Sequence, residues 1–263
     1  MDASHAWKLA LTTVLDNGRL VSPRGKDTFE VPQYTTKVDM SAPVVRIKAR
    51  RLNYSFMAAE AYWILSGDDK VKSIAPYNKH IANFSDDGEV FFGAYGPKIQ
   101  NQLHYVVDKI RQDLATRQAG LTIWRECPPN TKDVPCTVAI FFSVRGSSLN
   151  AHVFMRSSDV WLGLPYDIFN FSMLGHLVCG MLNHYGIHLY PGQLYVTAAS
   201  SHLYHSNIKD VKGCILEELT RQIITPEPLF TRPDELMHTL RLLRDSRPGD
   251  NLRWWEADYV ETN

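Results

Sequence analysis

A strand–turn–strand pattern in the middle of the chain restricts most strongly the folds that this sequence can adopt. Residues 137–144 and 149–155 are mostly apolar, aromatic or β-branched, as strands are. Residues 145–148 (Arg-Gly-Ser-Ser) between them are typical of a turn. The pattern therefore predicts an antiparallel strand pair and excludes an all-helical protein.

Helical patterns flank this hairpin on both sides. Apolar residues recur at helical spacing over residues 99–114, and residues 55–65 and 168–185 read as buried helices. A surface helix is predicted over residues 236–243, after a proline. The chain shows no internal repeat and no long linker. Together these features predict an α+β fold in which residues 1–263 form a single domain.

The charge balance disfavours several kinds of partner. The chain has 28 Lys and Arg residues against 28 Asp and Glu residues, so its formal net charge is zero. Such a chain has no general attraction for nucleic acid or for a membrane surface. Its apolar runs are also too short to span a bilayer. We expect neither a nucleic acid nor a membrane as partner, whereas local arginine sites for a small anion stay open.

The cysteines and histidines indicate a reducing compartment and no metal site. The four cysteines show no Cys-x-x-Cys spacing, and the N-terminus carries no secretory pattern. Reduced thiols and a cytoplasmic location are therefore expected. The ten histidines follow no familiar zinc spacing. No glycine-rich phosphate loop follows a strand, which disfavours a dinucleotide-binding fold.

Cys136 is the strongest candidate for a catalytic nucleophile. It follows Pro135 at the point where a loop enters a predicted strand, and from there a side chain can project into a cleft. The alternative is a buried structural cysteine, which is the commoner role of a free cysteine. A reactive thiolate needs a cation nearby, and Arg156 supplies one only if the fold brings the two residues together.

Several further polar residues are candidates for binding, each with an ordinary structural explanation as well. Arg156 with Ser157 offers a forked donor and a hydroxyl that suit a phosphate, and Arg24 and Arg117 are similar candidates. An isolated arginine more often forms a surface ion pair. Glu60 lies within an apolar helix, where an acid must be hydrogen-bonded or functional.

These residues fall in motifs that resemble the thymidylate synthase family. Residues 156–166 read Arg-Ser-Ser-Asp-Val-Trp-Leu-Gly-Leu-Pro-Tyr, which resembles the family's Arg-Ser-x-Asp-x-x-Leu-Gly-Leu-Pro-Phe. Pro-Cys at 135–136 matches the nucleophile motif. The resemblance runs from about residue 24 to residue 207 with its motifs in order, and the further matching segments are Glu60 to Asp68, Gly93 to Gly96 and Ser201 to Tyr204.

Departures from the family pattern point to one branch of it. Asp167 stands where thymidylate synthases carry Asn, and Thr137 stands where they carry His after the nucleophile. Both changes resemble the deoxycytidylate (dCMP) hydroxymethylases of phages. Gln118 replaces the second arginine of a phosphate-binding pair, which puts one phosphate contact in doubt. The last five residues, 259–263, lack the apolar tail that closes the synthase site.

The hydrogen-bonding character of Asp167 gives the branch a physical reason. Uracil presents an acceptor at O4 and a donor at N3, which an Asn amide satisfies. Cytosine presents an amine at C4 and an acceptor at N3, so an ionised Asp accepts from the amine and from a protonated N3. A carboxylate facing the O4 of uracil leaves mismatched groups at a cost of about 1–3 kcal/mol. The alternative is that Asp167 merely caps the helix that follows it.

The resemblance implies a fold, a cosubstrate and a set of roles. It implies a mixed sheet packed with helices, one sheet face at a homodimer interface, and 5,10-methylenetetrahydrofolate as the one-carbon donor to dCMP. If a phage encodes the chain, the location is the host cytoplasm. The implied catalytic residues are Cys136, Glu60, Asp167 and Tyr95. The implied substrate-binding residues are Arg24, Arg117 (from the partner subunit), Arg156, Ser157, Asp159, Asp167, His202 and Tyr204. The implied folate-binding residues are Glu60, Tyr77 and Asp159.

The implied reaction begins with addition of the Cys136 thiolate to C6 of the pyrimidine and ends with water adding to an exocyclic methylene group. The leading hypothesis is thus a dCMP hydroxymethylase. If hydride completes the reaction instead, the product is 5-methyl-dCMP and the protein is a dCMP methyltransferase. Three further hypotheses are a CMP hydroxymethylase, a thymidylate synthase and a non-catalytic nucleotide- or RNA-binding relative.

Overall fold

The computed structural model describes residues 1–219 and 230–247 of the chain. The helices of this part are α1 (Ala3–Asn17), α2 (Tyr54–Leu65), α3 (Val71–Ile74), α4 (Tyr95–Gln112), α5 (Leu164–His184), α6 (Ile208–Leu216) and α7 (Pro233–Asp245). The strands are β1 (Arg19–Val21), β2 (Thr28–Asp39), β3 (Gly120–Thr122), β4 (Thr137–Arg145), β5 (Ser148–Met155), β6 (Ser158–Asp159) and β7 (Tyr190–Tyr204). The expectation of an α+β fold is confirmed.

The strands of the described residues form one mixed sheet in the order β1-β2-β7-β5-β4-β3, with β6 also paired to β7. The predicted hairpin is present as the antiparallel pair β4 and β5. The strands β5 and β7 run parallel, because the long helix α5 returns the chain between them. The side chains on one face of the sheet are buried under the helices, as alternation along β4 and β5 shows.

The helix α5 is the centre of the molecule, and it begins earlier than the sequence pattern predicts. It starts at Leu164 instead of residue 168, because Pro165 is tolerated in a first helical turn. Gly163 is its N-cap, so Asp167 lies inside the first turn and does not cap the helix. This position removes the structural alternative for Asp167. The helix α5 packs against α2, α7 and the sheet.

Two further elements differ from the sequence-based expectation. The sequence pattern of residues 194–198 predicts only a short strand, whereas β7 extends far beyond it, because its alternate residues face away from the core and hide the pattern. The helix α7, predicted at the surface, buries Leu236, Leu240 and Leu243 against neighbours that include α2. No helix among the described residues is long and apolar enough to cross a membrane.

Candidate active site

The hairpin places Cys136 next to Arg156. Cys136 directly precedes β4 and Arg156 directly follows β5, and the Arg156 amide donates to the Cys136 carbonyl at 2.8 Å. The guanidinium donates to two further carbonyls of the same loop, those of Pro135 at 3.0 Å and Val134 at 2.9 Å. Arg156 therefore holds the backbone that presents the thiol. The cation that the sequence argument required is brought to this loop.

Ser157 also contacts the nucleophile. Its hydroxyl donates to the Cys136 sulfur at an Oγ–Sγ distance of 3.7 Å and accepts from Arg156 Nη1 at 3.2 Å. Cys136 itself is half-buried, so part of the residue is accessible from solution. A partly accessible cysteine with a hydroxyl donor next to its sulfur suits nucleophilic addition.

Tyr95, the first residue of α4, joins this group through its hydroxyl. The amide of Thr137 donates to Tyr95 Oη at 3.3 Å, and the ring stacks on Phe171 with centroids 6.4 Å apart. Burial, then the charges of Asp167 and Cys136, raise the pKa of Tyr95 above its ordinary value. The phenol stays neutral, so it keeps a proton that it can donate beside Cys136.

Glu60 and Asn170 form a buried polar pair between α2 and α5. The Asn170 amide donates to Glu60 Oε2 at 2.7 Å. Burial raises the pKa of Glu60 to about 7, although this hydrogen bond acts in the opposite direction. Glu60 can therefore gain or lose a proton near neutral pH, which is the property that a general acid or base needs.

Asp167 lies one helical turn before Asn170 on α5. Burial, then the nearby charges of Glu60 and Asp159, raise the pKa of Asp167 to about 8. The site thus holds a protonated Asp167 at neutral pH, whereas the sequence argument assumed an ionised one. The difference arises because three acids are gathered in one largely buried site, which disfavours a further negative charge.

Asp159 and His202 are brought together by the pairing of β6 with β7, in which they are direct partners. The Asp159 carboxylate accepts from the amides of Trp161 and Leu162, both at 2.9 Å. Burial raises the pKa of Asp159, although these two hydrogen bonds and His202 oppose that shift. The His202 ring meets the Tyr204 ring edge to face at 5.5 Å. Both aromatic side chains therefore stand on the strand next to Asp159.

The remaining predicted residues, Arg24, Arg117 and Tyr77, make no described contact with this cluster. Arg24 is exposed in a loop, where it adopts the left-handed backbone conformation with φ +55°. Arg117 is exposed and lies five residues beyond the end of α4. Tyr77 donates from its hydroxyl to Asp245 of α7 at 2.9 Å. No described contact links these three to the Cys136 loop.

A cavity of about 170 Å³ opens at this cluster. Its apolar walls come from α2 and the loop before α4, and they consist of Trp63, Ile64, Ile81, Phe84 and Phe91. Its polar lining consists of Glu60, Tyr95, Asp133, Asp167 and Asn170. Such walls fit a flat aromatic heterocycle, and the acids at the polar end fit its ring nitrogens.

Sequence reasoning missed two polar residues of this cavity, Asp133 and Asn170. Asp133 accepts from the Gly93 amide at 2.7 Å and so joins the loop before Cys136 to the loop before α4. Asn170 holds Glu60. The signal that could have found Asn170 was its spacing, because a residue three places after Asp167 lies on the same helix face. Within the described residues, no group of three His, Cys, Asp or Glu side chains is arranged to hold a metal ion.

A half-buried thiol next to arginine and serine, with titratable acids around a nearby cavity, is an arrangement suited to covalent catalysis. The sequence matches the thymidylate synthase family over residues 5–234. The chain belongs to this family of one-carbon transferases, and the resemblance seen in its motifs is confirmed.

Three relatives of the chain carry the names of two different activities. The chain is 31% identical over 234 residues to a deoxyuridylate hydroxymethyltransferase of Bacillus phage SP01, a match that covers 80% of this chain and 58% of that protein. The chain thus spans little more than half of that relative. It is 26% identical to a thymidylate synthase of Buchnera aphidicola, covering 89% and 91% of the two chains. It is 24% identical to a thymidylate synthase of Enterobacteria phage T4, covering 90% of each.

Proposed function

We propose that this protein transfers the one-carbon unit of 5,10-methylenetetrahydrofolate to C5 of dCMP and releases 5-hydroxymethyl-dCMP. The observation that carries the proposal is the position of Asp167, which lines the cavity beside Glu60 and has its pKa raised to about 8. A single catalytic domain in the cytoplasm, acting on a small nucleotide and not on nucleic acid, completes the proposal.

The proton on Asp167 favours cytosine over uracil. A neutral carboxyl donates from its O–H and accepts at its second oxygen, so it can pair with N3 and the amine of cytosine. It can also pair with O4 and N3–H of uracil, but O4 is a much weaker base than N3 of cytosine. Only the cytosine ring can take the proton itself, and a protonated ring is activated at C6 for attack. Asp167 therefore binds either base but activates cytosine better.

The chemical steps follow from the residues around Cys136. The thiolate of Cys136 adds to C6, and the resulting electron pair makes C5 the nucleophile. The folate, when bound in the apolar cleft, supplies a carbon at the oxidation level of formaldehyde. Tyr95 would support proton transfer at C5 through the hydrogen bonds of its neutral phenol, and Glu60 would order the water that completes the product.

Substrate contacts are assigned by the same proposal. Arg156, Ser157 and Arg24 would bind the phosphate, and His202 with Tyr204 would bind the sugar. Arg117 would contact the phosphate of the nucleotide that is bound in the partner subunit. Support for a dimer comes from the outer sheet face, where Phe141 and Phe154 meet edge to face and are 41% and 45% exposed. Tyr77 and Asp159 would contact the folate, together with Glu60.

A second candidate is hydroxymethylation of dUMP. It is favoured by the Bacillus phage SP01 relative, which is a deoxyuridylate hydroxymethyltransferase. In that case Asp167 would keep its proton and act as the amide of Asn does. The two candidates differ only in the base, because both end with addition of water.

Mass spectrometry after incubation with methylenetetrahydrofolate and an equimolar mixture of dCMP and dUMP tests the proposal. We expect dCMP to gain the mass of one formaldehyde unit and dUMP to stay largely unchanged. A gain of one CH₂ with a rise in dihydrofolate absorbance would show a methyltransferase. Preferential conversion of dUMP would establish the second candidate and contradict the first.

A further inference from the structure

The buried pair of Glu60 and Asn170 has an atom that the pair itself does not use. The Asn170 amide nitrogen is bound to Glu60, but its oxygen is buried and has no hydrogen-bond partner among the described residues. Asn170 is 4% exposed. A buried carbonyl oxygen without a partner costs about 1–3 kcal/mol, so such an atom calls for an explanation.

A second unpartnered atom lines the same cavity. The indole nitrogen of Trp63 is buried without a partner in the described part of the chain, and Trp63 is 8% exposed. Trp63 follows Glu60 by three residues, so both lie on one face of α2. The indole is a donor and the Asn170 oxygen is an acceptor. The Glu60 carboxylate next to them has further acceptor capacity.

A donor, an acceptor and a carboxylate around one small cavity match the needs of one water molecule. A buried water typically makes about three hydrogen bonds to otherwise unsatisfied polar groups. The cavity of about 170 Å³ is large enough to hold a water beside a ligand ring. An apolar ligand atom would leave both the indole nitrogen and the amide oxygen unsatisfied.

We propose that Asn170 is a positioning residue which, with Trp63 and Glu60, holds the water molecule that terminates the reaction and so directs it to a hydroxymethyl product. This inference rests on the proposed one-carbon transfer. The water oxygen bonds to the exocyclic methylene carbon, and one O–H bond breaks as its proton passes to the Glu60 carboxylate. The methylene π pair moves into the ring and then forms the C5–C6 double bond as the Cys136 thiolate leaves C6.

Replacing Asn170 separates this role from general stability. In Asn170→Leu, we expect release of tritium from [5-³H]dCMP to stay within about threefold of the wild type, while formation of 5-hydroxymethyl-dCMP falls by about 30-fold or more. The KM for dCMP should change by less than about threefold, because the amide does not touch the base. In Asn170→Asp, the acceptor is kept but a charge faces Glu60. The hydroxymethylation rate should then need a higher pH.

The matched control is Asn183→Leu. Asn183 lies near the opposite end of α5 and also has a buried amide oxygen without a partner in the described region. We expect this variant to keep wild-type partitioning between tritium release and product. If Asn170→Leu fails to fold, the pH profile of Asn170→Asp tests the role of Asn170 instead.

Three outcomes contradict the inference. Equal losses of tritium release and product in Asn170→Leu would show a merely structural role, and wild-type partitioning there or an unshifted pH profile in Asn170→Asp would show no role in hydration. Failure of the proposed function is seen separately, since the wild type would then release no tritium from dCMP or would form no 5-hydroxymethyl-dCMP. If the wild type prefers dUMP, the same partition test with [5-³H]dUMP still decides the role of Asn170.

Discussion

The beginning and the middle of α5 both bury ionisable side chains, but they do so in opposite ways. Near the beginning, Asp167 lies close to Glu60, and burial raises the pKa values of these acids to about 8 and about 7. In the middle, His176 is 1% exposed, and burial lowers its pKa to about 4. Both regions exclude charge, yet only the first opens into the cavity beside Cys136. Burial alone therefore shifts a pKa without giving the group a function. Glu60 and Asp167 differ from His176 because they also line a cavity that a ligand can enter.

The contacts of His176 show what a purely structural group looks like. Its Nε2 donates to the Met40 carbonyl at 3.0 Å, and its ring meets Phe230 edge to face at 5.7 Å. Its Nδ1 is buried without a partner in the described residues. Protonation would add a buried charge and an unsatisfied donor. Glu60 and Asp167 instead line the cavity, where a ligand can provide the hydrogen-bond partners that the protein does not.

The largest effect should follow from removing the Cys136 thiol. In Cys136→Ala, we expect product formation from dCMP to fall by about 10⁴-fold or more, because the covalent adduct with C6 can no longer form. The free energy of unfolding should change little, because Cys136 is only half-buried. Mass spectrometry of product and denaturant unfolding measure both. Activity retained in Cys136→Ala would exclude covalent catalysis, and Cys179→Ala on α5 serves as the control for loss of a thiol.

A smaller but diagnostic effect should follow from Asp167→Asn. The amide pairs with O4 and N3–H of uracil, but it cannot transfer a proton to N3 of cytosine. We expect kcat/KM for dCMP to fall by about 10²–10⁴-fold while turnover of dUMP rises. Competition assays with both nucleotides measure the change. An unaltered preference would mean that Asp167 does not face the base.

Acid should destabilise the protein through His176. Its folded pKa of about 4 lies below an unfolded value of about 6.5, so the unfolded state binds the proton more tightly. Its contribution to stability is therefore constant above about pH 6.5 and falls between about pH 6.5 and about pH 4, by about 3 kcal/mol in total. Urea unfolding at several pH values measures this slope. It should flatten in His176→Gln but persist in His238→Gln, which changes a residue on the more exposed side of α7.

The pH dependence of stability that Glu60 and Asp167 contribute should have the opposite sign to that of His176. Because the folded pKa values of Glu60 and Asp167 lie above unfolded values of about 4, the folded state holds their protons more tightly. Their contribution is present below about pH 4 and is lost as the pH rises towards about 8. We expect Asp167→Asn to be more stable than the wild type at pH 8 by about 5 kcal/mol, and to lose that advantage at about pH 4. An equal difference at both pH values would refute this coupling.

Much of the site could be predicted from the sequence. The order of Glu60, Tyr95, Cys136 and residues 156–167 was enough to predict the family and its chemistry, because motif residues keep their spacing within a hairpin and within a helix. The bracing of the Cys136 loop by Arg156 could not be predicted. It depends on carbonyl groups that any residue provides, and only the pairing of β4 with β5 aims the guanidinium at them.

By itself, the sequence determined which reactive groups the protein owns, their order along the chain and the α+β class, since these follow from side-chain chemistry and local periodicity. The tertiary structure alone decided the protonation of Asp167 and the partnership of Glu60 with Asn170, residues 110 positions apart. A pKa depends on how much water surrounds a group and on which charges lie within a few ångströms. Both are set only when α2 packs against α5.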